Sequence, residues 1–293
     1  MTLGEYIKLY FETYKLDQQA NTILNRERII RNHILPEFGN RELSEITTIE
    51  MQRFFNEKGK VYALATSAKI KNILSPVFDS AVEDELIMRN PLHSKRLILS
   101  GRECIPHKAI PAERFSEVKA GLMDLPWRER AIGGLLCYTG MRFEEVLGFK
   151  WQDIEGEWLH VQRAVVHPDR NKPVTKCPKT KTSNRKIPIH PRLKEILDSY
   201  DGEKTGFILF RKSPEEPLTY TEARYSLLKI RKRFDIMSYS AHDFRDSCAT
   251  TWRENGMPLD MIARLLGHSK TEVTEKRYVK YRDEFLMGAL DMM

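Results

Sequence analysis

Apolar residues recur at helical spacing from the first turn of this chain. Leu3, Ile7, Tyr10 and Tyr14 fall on one face, and Thr2 stands three residues before Glu5, the arrangement of a capping box. The same periodicity predicts a second helix over "NTILNRERIIRNHIL", stopping before Pro36 and Gly39. A third follows over "TIEMQRFFNEKG", and a longer fourth over "TSAKIKNILSPVFDSAVEDELI", where Pro76 implies a kink or break. Together these make a small helical bundle over residues 1–90. From 91 to 109 the periodicity fades, and Pro, Gly and the basic side chains Lys95, Arg96 and Arg102 accumulate. That stretch reads as a linker, inert or placed to touch phosphates.

A second region, 110–293, opens at Pro111, a residue suited to a first helical turn. "PAERFSEVKAGL", "WRERAIGGLLCYTG" and "RFEEVLGFKW" read as helices. "EWLHVQRAVVH" and "RKIPIH" read as strands flanking a basic loop. "PRLKEILDSY", "YTEARYSLLKIRKRF", "AHDFRDSCATTWRENG", "PLDMIARLLGH" and "TEVTEKRYVKYRDEFLMGAL" return to helical spacing. The fold class is therefore mainly α with a small antiparallel β-sheet, in two domains.

Composition narrows the partners. The 293 residues carry a formal net charge of +7 with 30% charged and 41% hydrophobic side chains, a globular balance biased toward polyanions such as nucleic acid or an acidic membrane surface. No apolar run is long enough to cross a bilayer, and the first residues lack the pattern of a signal peptide. Cys104, Cys137, Cys177 and Cys248 are scattered with no CxxC pair. Reduced thiols in a cytoplasmic protein are expected, with neither a disulfide framework nor a zinc knuckle.

Four places offer chemistry. In "TGMRFEEVLGFKW", Arg142 and Glu145 are three apart on one helix face, which alone is also the pattern of a surface ion pair. Between Arg170 and Lys194 there are nine Lys or Arg residues and no acid. Such a run is either a solvated hairpin or a basic fingertip for a phosphate backbone. In "SAHDFRDSCATTW", Ser240 is placed to cap a helix, and His242 and Arg245 share one face, a pair of donors suited to a phosphate oxygen. In "LLGHSKTEVTEKRY", Gly267 ends a helix, His268 follows it, and Tyr278 falls on the next helix. Taken singly, each is more simply a structural residue.

Taken in order (R, K, H-x-x-R, G-H, Y), these segments resemble the tyrosine recombinase family of the phage-integrase type. The resemblance covers about the last two thirds of the chain, and it implies a core-type DNA-binding domain ahead of a catalytic domain at 110–293. It implies that Arg142 and Arg245 clamp the scissile phosphate and that Tyr278 is the nucleophile. His242 and His268 would be the family's two histidines, with Glu145 supporting the clamp. The general-acid lysine lies in "PKTKTS", with Lys179 fitting best and Lys181 the alternative. His268 and Tyr278 are ten apart, one more than the spacing the resemblance leads us to expect, and Tyr281 is the other tyrosine of the tail.

The chemistry so implied needs no metal or cofactor. Two guanidiniums neutralise the phosphodiester that repels nucleophiles. A phenol whose ordinary pKa is about 10 loses its proton as it attacks, and a lysine protonates the leaving 5′-oxygen. The covalent 3′-phosphotyrosine conserves bond energy for rejoining. Double-stranded DNA, a homo-tetramer on synapsed DNA and accessory bending or directionality proteins are the expected partners, in a cytoplasmic, nucleoid-associated setting without a membrane. The expected activity integrates or excises a mobile element or prophage. The apolar tail residues Phe285, Leu286 and Leu290 are expected to pack on a neighbouring protomer, or alternatively within their own chain. No arm-binding domain is expected ahead of residue 2. The rival functions are type IB topoisomerase-like relaxation and a non-catalytic DNA-binding regulator.

Overall fold

The computed structural model describes residues 1–14, 20–103, 108–169, 172–176 and 184–268. The chain divides into two compact units, Met1–Pro106 and His107–Met293.

The first unit is helical among the described residues: α1 (Leu3–Tyr14), α2 (Ala20–Ile29), α3 (Leu35–Phe38), α4 (Thr48–Val61) and α5 (Leu64–Glu83). The capping box forms, with the Thr2 N–H donating to Glu5 Oε2 at 2.9 Å and the Glu5 N–H to Thr2 Oγ1 at 3.3 Å. Leu3, Ile7 and Tyr10 are buried as their spacing predicts, but Tyr14 is exposed at the end of α1, its ring tilted against Tyr10. Pro36 does not stop the second helix. A π-helical turn over Ile30–Ile34 interrupts the ladder, and Pro36 sits in the first turn of α3, where its missing N–H has no helical partner to lose. α5 runs on through Pro76 to Glu83.

The stretch whose composition reads as a linker carries core of its own. Leu92 and Leu97 join the apolar cluster of α1, α4 and α5. Ser100 Oγ donates to the Phe55 carbonyl at 2.8 Å, Ser67 Oγ donates to the Ser100 carbonyl at 2.9 Å, and Arg102 exchanges backbone bonds with Tyr62 and Leu64.

The second unit is built around α7 (Trp127–Thr139), most of whose side chains are buried. It packs against α6 (Ala112–Ala120), α9 (Pro191–Asp198), α10 (Tyr220–Arg233) and α11 (Ala241–Glu254). Between α8 (Phe143–Leu147) and α9 lie two antiparallel sheets. One has the order β1 (Ile154–Glu155), β2 (Trp158–Val161), β5 (Arg185–Pro188). The other is a hairpin of β3 (Ala164–Asp169) and β4 (Lys172–Lys176), so part of the basic run is strand. In β5, Arg185 and Ile187 turn inward while Lys186 and Pro188 face out. α12 (Leu259–Leu266) packs on α11 and β5.

Candidate active site

Three chain segments deliver the site. The first is the turn after α7. Gly140 ends that helix in the left-handed conformation, φ +61°. Arg142 then stands just ahead of α8, not within it. Its own N–H donates to Glu145 Oε2 at 2.8 Å, and its Nη1 donates to Glu145 Oε1 at 2.9 Å. Glu145 thus serves the first turn as a capping carboxylate and the arginine as a counter-charge. The pair is no surface ion pair: the Glu145 side chain is 7% exposed, while the Arg142 side chain keeps 37% of its surface open.

The second segment is α11. Ser240 donates its N–H and its hydroxyl to Asp243 Oδ2, at 2.6 and 2.7 Å, and so fixes the helix start. His242 is half-buried in the first turn, and Arg245, one turn on, is buried. The Arg245 guanidinium spans two helix ends, donating from Nη1 to the Gly140 carbonyl at 2.7 Å and from Nη2 to the Leu266 carbonyl at 2.8 Å.

The third is the end of α12. Gly267 adopts φ +70°, and His268 follows it with Nε2 at 2.9 Å from Arg245 Nη2. Positive φ at Gly140 and Gly267 closes two helices abruptly, so that their last carbonyls point at one guanidinium. Arg142 with Glu145 and Arg245 with His268 are thus two bonded pairs, brought into one network by the short backbone run from Gly140 to Arg142. Lys179, Lys181, Tyr278 and Tyr281 lie outside the described residues, as do Phe285, Leu286 and Leu290.

The sequence reading passed over one member of the network. Arg185 forks onto Glu145, Nη1 to Oε1 at 3.1 Å and Nη2 to Oε2 at 2.9 Å, and its Nε donates to the Leu265 carbonyl at 2.6 Å. Its signal was weak: one cation in a run of nine, marked only by sharing the inward strand face with Ile187. Burial by itself would raise the Glu145 carboxyl, but hydrogen bonds and charge from Arg185, with help from Arg142, hold it below the ordinary carboxylate range. Among the described residues no group of His, Cys, Asp and Glu has the arrangement of a metal site.

A cluster of arginines around a helix-end turn fits several enzyme classes, and comparison with known proteins separates them. The profile of the phage integrase family matches residues 115–284, and that of the phage integrase N-terminal SAM-like domain matches residues 2–59. The chain belongs to the phage integrase family. This makes it a tyrosine-type site-specific recombinase. It is 28% identical to a tyrosine recombinase XerC-like protein of Caldanaerobacter subterraneus subsp. tengcongensis, over 95% of this chain and 79% of that protein. It is 25% identical to the ICEBs1 integrase of Bacillus subtilis, over 92% of this chain and 76% of the relative. Its fold matches the Tn1549 transposon integrase, solved in complex with a circular intermediate DNA, at a TM-score of 0.83 and 17% identity, covering 100% and 99% of the two chains. It also matches a lambda integrase tetramer bound to a Holliday junction, at a TM-score of 0.73 and 21% identity, covering 97% and 80%. Integrase-family architecture accounts for the mainly helical fold with small antiparallel sheets.

Proposed function

We propose that this recombinase cleaves and rejoins double-stranded DNA through a 3′-phosphotyrosyl intermediate, integrating or excising a mobile element or prophage. The observation that carries the reading is that Arg245 bonds both His268 and the carbonyl of Gly140, two residues before the Glu145-held Arg142. Two arginines set among buried carbonyls and a carboxylate are suited to a charge that grows on phosphate oxygens. Arg142, with its partly open side chain, meets the phosphate first, and Arg245, buried and held by two carbonyls, fixes the geometry behind it.

The chemistry balances without an added reagent. The Tyr278 phenol oxygen attacks phosphorus, its proton passing to His242, or to His268 Nε2 once that nitrogen gives up its bond from Arg245. The bond from phosphorus to the 5′-oxygen breaks, and that oxygen takes a proton from Lys179 or Lys181. Attack by a 5′-hydroxyl on the phosphotyrosine reverses the step and reseals the strand. Residues 1–90 act as the core-type DNA-binding domain, joined through 91–109 to the catalytic domain at 110–293. A homo-tetramer assembles on synapsed DNA in the nucleoid, with accessory bending or directionality proteins setting the outcome.

The test uses nicked duplexes built from the DNA that flanks the gene. Wild type, Tyr278→Phe and Tyr281→Phe are incubated with them, with chelator present, and protein–DNA adducts are read on denaturing gels. An adduct lost only in Tyr278→Phe supports the proposal. Loss only in Tyr281→Phe moves the nucleophile, and tight binding with no adduct from any form argues for a regulator.

A further inference from the structure

We infer that Arg185 is a positioning residue that sets the spacing of the two clamp arginines, an inference that rests on the proposed phosphate chemistry. Hydrogen bonds and two short backbone links around it close a ring. Arg142 is held by Glu145, and Glu145 by the Arg185 fork. Arg185 grips the Leu265 carbonyl, the neighbouring Leu266 carbonyl grips Arg245, and Arg245 grips the Gly140 carbonyl. Gly140 leads back to Arg142 across two peptide bonds. The part played by Arg185 within this ring is to join the turn after α7 to the end of α12, where His268 sits.

Its chemistry suits the task. The Arg185 side chain is 4% exposed, so it is not placed to meet DNA itself. It is the first residue of β5 and pairs with Val161 across the sheet, so its backbone is fixed by strand register. A planar fork with three bonds to two separate chain segments leaves the side chain little freedom. Arg185 and His268 also line one cleft of about 820 Å³, together with Trp158, Lys186 and Met261.

The experiment compares wild type with Arg185→Lys, which keeps the charge and loses the fork. Single-turnover adduct formation is measured on nicked duplexes with an ordinary scissile phosphate and with a neutral methylphosphonate in its place. Arg185→Lys should bind the duplex as wild type does and form adduct about 100-fold more slowly, the scale of a misplaced clamp. The deficit should narrow on the methylphosphonate, which lacks the charge that the clamp neutralises. An equal deficit on both substrates would reduce Arg185 to a structural residue, and wild-type rates would remove it from the reaction altogether. If the lysine variant does not fold, the paired change Arg185→Met with Glu145→Leu removes both buried charges together. The inference expects that protein to fold, bind and cleave slowly, and wild-type cleavage by it would overturn the inference. Arg142→Lys and Tyr278→Phe run beside these. An adduct that survives Tyr278→Phe sinks the proposed chemistry itself, whereas an impaired Arg142→Lys beside an unimpaired Arg185→Lys sinks only the role of Arg185.

Discussion

Arg245 Nη2 and His268 Nε2 stand 2.9 Å apart, and because a guanidinium only donates, the imidazole accepts at that nitrogen. The pair joins the H-x-x-R segment to the G-H segment, 23 residues downstream. Arg245 also closes off the Gly140 and Leu266 carbonyls. A lysine in its place is a point donor without the fork, so at least one buried carbonyl loses its partner. Arg245→Lys should destabilise the protein by about 1–3 kcal/mol and abolish adduct formation. Urea melts paired with the adduct gel check both halves, and an unchanged melt would mean that water replaces the lost bond.

Gly140 is the second point where the site depends on backbone. Its φ of +61° is strained for any residue with a Cβ, and a Cβ there would stand 2.9 Å from Leu266 Cδ2 and 3.1 Å from Trp252. Gly140→Ala should therefore cost about 1–2 kcal/mol from the backbone conformation, and shift the carbonyl that holds Arg245. Adduct formation should fall by more than the loss of folded protein explains. Folded fraction by circular dichroism, measured beside the cleavage rate, separates the two effects.

These two residues also mark how far the sequence could be read. Arg142, Glu145, Arg245 and His268 stood out only as a set, because the segments that hold them, taken in order, resemble the tyrosine recombinase family, whereas each alone reads more simply as a structural residue. Helical periodicity likewise placed Leu3, Ile7 and Tyr10 in the core. What stayed hidden was long-range. Arg185 meets Glu145 across 40 residues, and nothing local distinguishes it from the cations around it. Pro36 looked like a stop because a π turn, which has no sequence signature, lets the chain restart ahead of it. Leu92 and Leu97 looked like linker because two isolated leucines have no period, yet they fill a gap in the core that distant helices create.

The thiols allow a check on the second unit's core. Cys137 and Cys248 are buried on α7 and α11, and the Cys248 Sγ donates to the carbonyls of Leu136 and Cys137. Burial pushes the Cys137 thiol well up and the Cys248 thiol up to about 12. At pH 8 both should stay protonated and resist alkylation in the native protein, then react once denaturant opens the unit. Peptide mapping after a timed iodoacetamide pulse reads this directly. Native labelling of Cys248 as fast as a free thiol would mean that α7 and α11 separate readily.

Glu145 gives the site a pH signature. Its carboxyl lies below its ordinary value of 4.5 in the folded protein, where burial opposes ionisation but Arg185 and Arg142 outweigh it. The unfolded chain therefore binds this proton more readily than the native one, and stability falls as protons are supplied. The contribution is complete above the unfolded value and is lost as pH drops through the lower, folded value. Glu145→Gln keeps an acceptor oxygen but loses the charge, leaving Arg185 buried beside a neutral amide. At pH 7 this should cost about 3 kcal/mol, the scale of a buried pair broken on one side. The gap between wild type and Glu145→Gln should then close as pH falls below 4.5, because the wild-type carboxyl becomes neutral as well. Urea melts of both proteins between neutral and strongly acid pH trace the two curves. Parallel curves throughout would show that Glu145 acts through shape and not through charge, and that the Arg142 turn does not depend on a carboxylate to hold it.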